Sequence, residues 1–155
     1  MKASMISAGA AALFASGCAT PGPPRTDAAV TLTGLQAFPG PGDPDGTGTA
    51  EIRVEPAQSR VCWTLFVREI EPATGAHIHR GAPGTAGPPV VPLATPDAAG
   101  RSGGCAAVDP GLAREMTMQP HEFYVNVHNA AYPAGAVRGQ LRGRANPPRR
   151  VPETR

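Results

Sequence analysis

The feature that most constrains this chain is an alternation of apolar and polar side chains with period two, repeated along residues 28–143. Successive side chains of a strand point to opposite faces, so this alternation marks half-buried sheet strands and not helices. "TAEIRVE" sets Ala50, Ile52 and Val54 against Glu51, Arg53 and Glu55. In "RVCWTLFVREI", Val61, Trp63, Leu65 and Val67 alternate with Cys62, Thr64 and Phe66, which predicts a central strand heavily covered on both sides. "AVTLTGLQAF" reads as a strand with a bulge at Gly34. "GAHIH", "PVVPL", "GGCAAVD", "FYVNVH" and "AVRGQLRG" bring the set to eight. Runs such as "PGPGDPDGTG" and "TPDAAGRSGG" are turn chemistry, and nineteen Gly with nineteen Pro supply many such turns. Only "DPGLAREMTM" suits a helix, of two turns or fewer, with Asp109 as its cap and Pro110 at its first position. The expected fold is all-β: an antiparallel β-sandwich or flattened barrel of about eight strands.

The ends of the chain read differently. Residues 1–18, "MKASMISAGAAALFASGC", carry Lys2, then a short apolar stretch, then small residues before Cys18. That is the pattern of a secretory signal, too short and too rich in Gly and Ser to span a membrane. "ASGC" resembles a bacterial lipobox, with Ala15 where Leu is usual, and the resemblance implies lipid attached to Cys18. The other reading is ordinary cleavage and free secretion. Ala19 after Cys18 resembles sorting to an outer membrane. Residues 19–27 form a Pro-rich tether, and residues 144–155 a basic tail with four Arg and one Glu and nothing apolar to bury, expected to be disordered. The domain between them, with eight Arg against four Asp and six Glu, is near −2 (8 − 10), and its Arg segments lack interleaved aromatics. Nucleic acid is therefore not an expected partner.

Export decides how the cysteines are read. With Cys18 lipidated, Cys62 and Cys105 are left as an even pair in an oxidising compartment, which favours a disulfide over a thiolate metal ligand.

Three strands place polar sets away from the core. His77 and His79 share a face of "GAHIH"; Tyr124, Asn126 and His128 oppose Phe123, Val125 and Val127; Arg138 and Gln140 oppose Val137 and Leu141. If these strands are neighbours, the histidines form one patch.

"GAHIHRGAPGTAGPPVVPL", then "GGC", then "FYVNVHNAAYPAGAVRGQL" resembles the CHRD domain, named from chordin. The likeness spans roughly residues 30–143; it departs at Ala136, where the family commonly has Glu, and at Val137, where Ile is usual. It implies an all-β Greek-key-like sandwich in an exported protein, and little about activity.

Two chemistries fit the patch. His77, His79 and His128 could hold copper or zinc, with Tyr124, Asn126 and Arg138 behind them and Tyr124 or His121 as a further ligand, although His121 reads as a plain surface residue. Alternatively, the imidazoles, Asn126 and Arg138 pair carbonyls of the Gly-rich loop, with Gly81, Gly84, Gly87, Gly135 and Gly139 where backbone passes close or φ is positive. Catalysis lacks support: Ser102 has no nucleophile-elbow spacing, and Asp43 with Asp45 read as a turn. The reading is a lipid-anchored, non-catalytic binding or interaction module of the cell envelope, in the periplasm or at the cell surface, with an unidentified envelope ligand. The alternative is a copper- or zinc-binding metalloprotein in the same compartment.

Overall fold

The computed structural model describes residues 25–145. The leader with Cys18, most of the 19–27 tether and most of the basic tail lie outside the described residues.

The chain forms β1 (Thr26–Thr33), β2 (Thr47–Glu55), β3 (Arg60–Arg68), β4 (Ala73–Arg80), β5 (Pro89–Leu93), β6 (Arg101–Ala107), helix α1 (Pro110–Met118), β7 (Phe123–Asn129), β8 (Val137–Gln140) and β9 (Gly143–Ala145). Strand pairing thus starts at Thr26, inside the tether segment, and reaches Ala145 in the tail segment. The sheet order is β5-β4-β7-β8-β1-β2-β3-β6, antiparallel throughout, with β9 beside the first residues of β1. β1 is shared at a corner: Thr33 at its end pairs with Arg138 of β8, while its start pairs with β9. At the far ends of the path, Ser102 Oγ of β6 donates to Ala94 O, just past β5, at 2.6 Å. The all-β antiparallel expectation holds. In detail the molecule is one sheet rolled into a nearly closed, flattened barrel, and β3–β4, β5–β6 and β6–β7 connect strands that are not neighbours.

Alternation turns into a single core. Ala50, Ile52 and Val54 are buried on β2, as are Val61, Trp63, Leu65 and Val67 on β3, and they meet Ile78, Val91, Val125 and Val127 from the other side of the barrel. Two expectations fail locally. β3 is covered on one face alone: Thr64 and Phe66 are exposed, and the Arg101 guanidinium lies 5.2 Å from the Phe66 ring centroid in place of a packed layer. Apolar composition on both faces did not mean cover on both, because the outer face of β3 meets solvent, with Thr64 and Phe66 exposed. Gly34 makes no bulge; β1 ends at Thr33 and Gly34 opens a 3₁₀ turn so close to Asp43 that a side chain would strike its carbonyl.

The helix forms where expected, at nine residues slightly longer than two turns. Asp109 caps it, accepting from Gly111 N at 2.7 Å and Leu112 N at 3.2 Å, with Pro110 at the first helical position. Ala113 and Met116 pack it onto the core. Among the described residues no helix is long and apolar enough to cross a membrane.

Cys62 and Cys105 face each other across β3 and β6 and form a disulfide, closing a loop of sequence separation 43. β6 is an edge strand with mostly exposed side chains, held by its ladder to β3 and by Ser102 and not by core packing, so the disulfide is the covalent link that fastens it. A Cys62→Ala/Cys105→Ala variant is expected to lose about 3–4 kcal/mol of stability, the chain-entropy value for a loop of this size, read as a lowered urea midpoint.

Candidate functional site

The site is built on β4, β7 and β8, which the sheet order makes neighbours. Register does the rest. His77 pairs with Asn126, His79 with Tyr124, and Gly75 with His128, so the His128 ring stands opposite a residue with no side chain. On the far side of β7, Asn126 pairs with Arg138 and Tyr124 with Gln140. All of these sit at alternate positions on one face.

That face is covered. Tyr124, Asn126 and Arg138 are only 3%, 4% and 2% exposed, and His79 is 9% exposed. The cover is the loop 81–88 between β4 and β5, with the loop 130–136 between β7 and β8 alongside. The backbone groups these loops bring in need partners, and the stripes supply them. Arg138 donates to Thr85 O at 2.8 Å and Ala82 O at 3.1 Å. Gln140 Nε2 lies 2.8 Å from Gly81 O, 2.6 Å from His121 O and 3.0 Å from Phe123 O. Asn126 Nδ2 donates to Ala134 O at 3.0 Å. Gly87 N donates to Tyr124 Oη at 3.2 Å.

Two histidines take part in the same way. His79 Nδ1 bonds Gly87 O at 2.9 Å, and His128 Nδ1 bonds Pro133 O at 3.0 Å. A carbonyl can only accept, so both Nδ1 atoms carry the proton and both Nε2 atoms hold a bare lone pair. His79 Nε2 and His77 Nδ1 are buried with no hydrogen-bond partner among the protein groups. The three rings lie 5.4–5.8 Å apart between centroids. One nitrogen from each falls within 4.8 Å of the others. Three imidazoles on an ion at about 2.0–2.1 Å would have nitrogens about 3.3–3.5 Å apart, so small ring rotations close the gap. Metal-bound histidine ordinarily donates its second nitrogen to a carbonyl or carboxylate, the arrangement made here by His79 and His128.

The two chemistries read from sequence are therefore not exclusive. In His79 and His128 one nitrogen pins a loop and leaves the other free for a ligand, while His77 makes no loop bond among the described residues. The structure brings His77, His79 and His128 together and leaves His121 out, with its side chain 65% exposed beside Glu122. Tyr124 does not offer a ligand atom, because its hydroxyl is engaged at Gly87; its ring stacks on His79 at 5.0 Å and carries the Arg138 guanidinium 3.5 Å from its centroid. Asn126 and Arg138 act on the loops. Gly87 lies where any side chain would collide with Arg80 O, and Gly135 has φ +145° against the Asn126 amide. Sequence reasoning gave Gln140 no role, although an amide on the same face as Arg138 was a signal that it could pair loop carbonyls. Asp43 Oδ1 accepts from Asp45 N at 3.2 Å, in keeping with a turn.

Burial holds the His79 and His128 imidazoles below the ordinary value; their bonds to Gly87 and Pro133 oppose this only in part, and the neighbouring His77 adds to it. Burial likewise lowers Arg138, the Tyr124 ring opposing it, but a guanidinium stays charged at neutral pH.

The fold and this face define a class: a disulfide-stapled β-barrel with a loop-capped histidine cluster on one wall. The CHRD domain family model matches residues 28–141, and the chain belongs to that family. No curated protein and no solved structure matches it. The family and the disulfide are compatible with an extracellular binding module.

The depressed imidazoles set a pH dependence. As pH falls, the unfolded chain takes up protons at His79 and His128 that the folded chain refuses. Stability is full above about pH 6.5 and is expected to decline as pH drops below it. Urea midpoints of wild type and a His79→Gln/His128→Gln variant at stepped pH check this; the variant's profile should be flatter.

Proposed function

We propose that this chain is a non-catalytic binding module of the cell envelope, and that it binds a copper or zinc ion through His77, His79 and His128. One observation carries the metal reading: three imidazole nitrogens face one another within 4.8 Å, and two nitrogens of the cluster are buried without a partner. An unpaired buried acceptor costs free energy, commonly about 1–3 kcal/mol, unless a ligand satisfies it. Among the described residues no Asp, Glu or Cys joins the group, so the set is all nitrogen, which suits copper and zinc and disfavours calcium and magnesium. Tyr124, Asn126 and Arg138 hold the ligands by fixing the rings and the loops over them. No side chain here offers a nucleophile beside a base, which is why binding is the reading and not catalysis.

The envelope location rests on the leader-like residues 1–18, on Cys18 in "ASGC" and on a disulfide of the kind that persists in oxidising compartments. Lipid on Cys18 would tether the domain to a membrane through residues 19–27.

Titration of the chain from residue 19 with copper and with zinc should saturate at one ion per molecule. A His77→Ala/His79→Ala variant should bind at least about a hundredfold more weakly. Equal weak binding by both proteins overturns the metal reading. In a bacterial host, Cys18→Ser should abolish labelling by radioactive palmitate and move the protein from the membrane to the soluble fraction; an unlabelled wild type overturns the anchor.

A further inference from the structure

The charge around the three imidazoles distinguishes between ions. The ligand set is neutral, and among the described residues no carboxylate or thiolate joins it. The charged group built into the same wall is positive. Arg138 is 2% exposed, makes no ion pair among the described residues, and lies over the Tyr124 ring whose plane stacks on His79. Its hydrogen bonds go to Thr85 O, Ala82 O and Gln140 Oε1, all uncharged. Any ion bound by the histidines thus enters a half-buried site in the field of an uncompensated cation on the same wall. The penalty scales with the ion's own charge, both through lost hydration and through repulsion from Arg138.

Coordination number points the same way. On three histidines zinc needs a water or other ligand to complete its fourth position, and copper(II) prefers tetragonal surroundings. This wall supplies three nitrogens; of the side chains next to them, the Tyr124 hydroxyl is committed to Gly87, and Asn126, opposite His77, gives its Nδ2 to Ala134 O and lies with its Oδ1 against Gly135. A closed-shell monovalent copper ion accepts three donors without a fourth.

Building on the metal reading above, we infer that the cluster is a copper(I) site: three neutral imidazoles beside a buried, unpaired Arg138 select a monovalent ion over a divalent one. Arg138 is then a specificity-determining residue that touches no metal. It sets the charge the site tolerates, while its fork holds the loop 81–88 in place.

The test is a set of competition titrations on the chain from residue 19. Copper(I) is measured without oxygen against a chromophoric chelator, silver(I) serves as a redox-inert monovalent probe, and zinc(II) and copper(II) are the divalent arms. Copper(I) and silver(I) should bind at least about a hundredfold more tightly than zinc(II). Arg138→Gln should narrow the gap by about tenfold: the guanidinium is 3.5 Å from the Tyr124 centroid and that ring 5.0 Å from His79, and removing one charge at a separation on the order of 10 Å has that effect at an effective dielectric near 20. It should also lower the potential of the bound copper couple by about 59 mV, the equivalent of that tenfold for one electron. Arg138→Lys, which keeps the charge, should retain the preference. If Arg138→Gln does not fold, the wild-type ratio decides alone. Zinc(II) binding as tightly as copper(I) overturns this inference and leaves the metal site standing. Binding of every ion no better than by the His77→Ala/His79→Ala variant overturns the metal reading itself.

Discussion

A loop without secondary structure lies flat on one wall of this barrel, and every polar backbone group it carries there must find a partner. That requirement organises the site. Arg138, Gln140, His79 and Tyr124 all answer it, and each does so from a strand whose opposite face serves the core. The wall has no solvated side to spare: β7 is buried at nearly every position, apolar toward the interior and polar toward the loop. Removing one donor would leave a carbonyl stranded under the loop, a cost that exceeds the net gain from a typical hydrogen bond.

Because the pinning bonds use only one nitrogen of each ring, structure and chemistry are coupled here and not in competition. The bond from His79 to Gly87 fixes the tautomer, the tautomer exposes a lone pair, and burial keeps the ring neutral. A ligand nitrogen needs those same three properties. The glycine-rich character of the loop follows from the same geometry, since Gly87 must bring its carbonyl to His79 while its own Cα presses on Arg80 O.

Much of this was legible from residues alone. Alternation placed Ile52, Trp63, Val125 and Val127 in the core and put His77, His79, Tyr124, Asn126, His128 and Arg138 on the opposite face. "DPG" located the helix cap, and cysteine arithmetic paired Cys62 with Cys105. What period two cannot give is what lies over a face. It offered no reason to bury Arg138 or to expose Phe66, because both depend on whether a loop or only solvent covers the strand. Strand order was equally silent in the sequence, and the convergence of the histidines depends on β4 and β7 being neighbours. The sandwich became a rolled sheet for a similar reason: the corner where β1 passes from β8 to β9 is a matter of one paired residue, Thr33.

The side chains that hold the loop 81–88 come from far along the chain: Arg138 reaches back 53 and 56 residues and Gln140 reaches back 59. The meander of β1, β2 and β3 can zip up from adjacent segments as they are synthesised. The histidine wall cannot, because its last clamps arrive with β8, and closing such long loops is slow. The closing of the loop is therefore a late event in the life of each molecule, and a chain cut short before residue 137 would carry all three imidazoles without the Arg138 and Gln140 clamps that hold the loop over them.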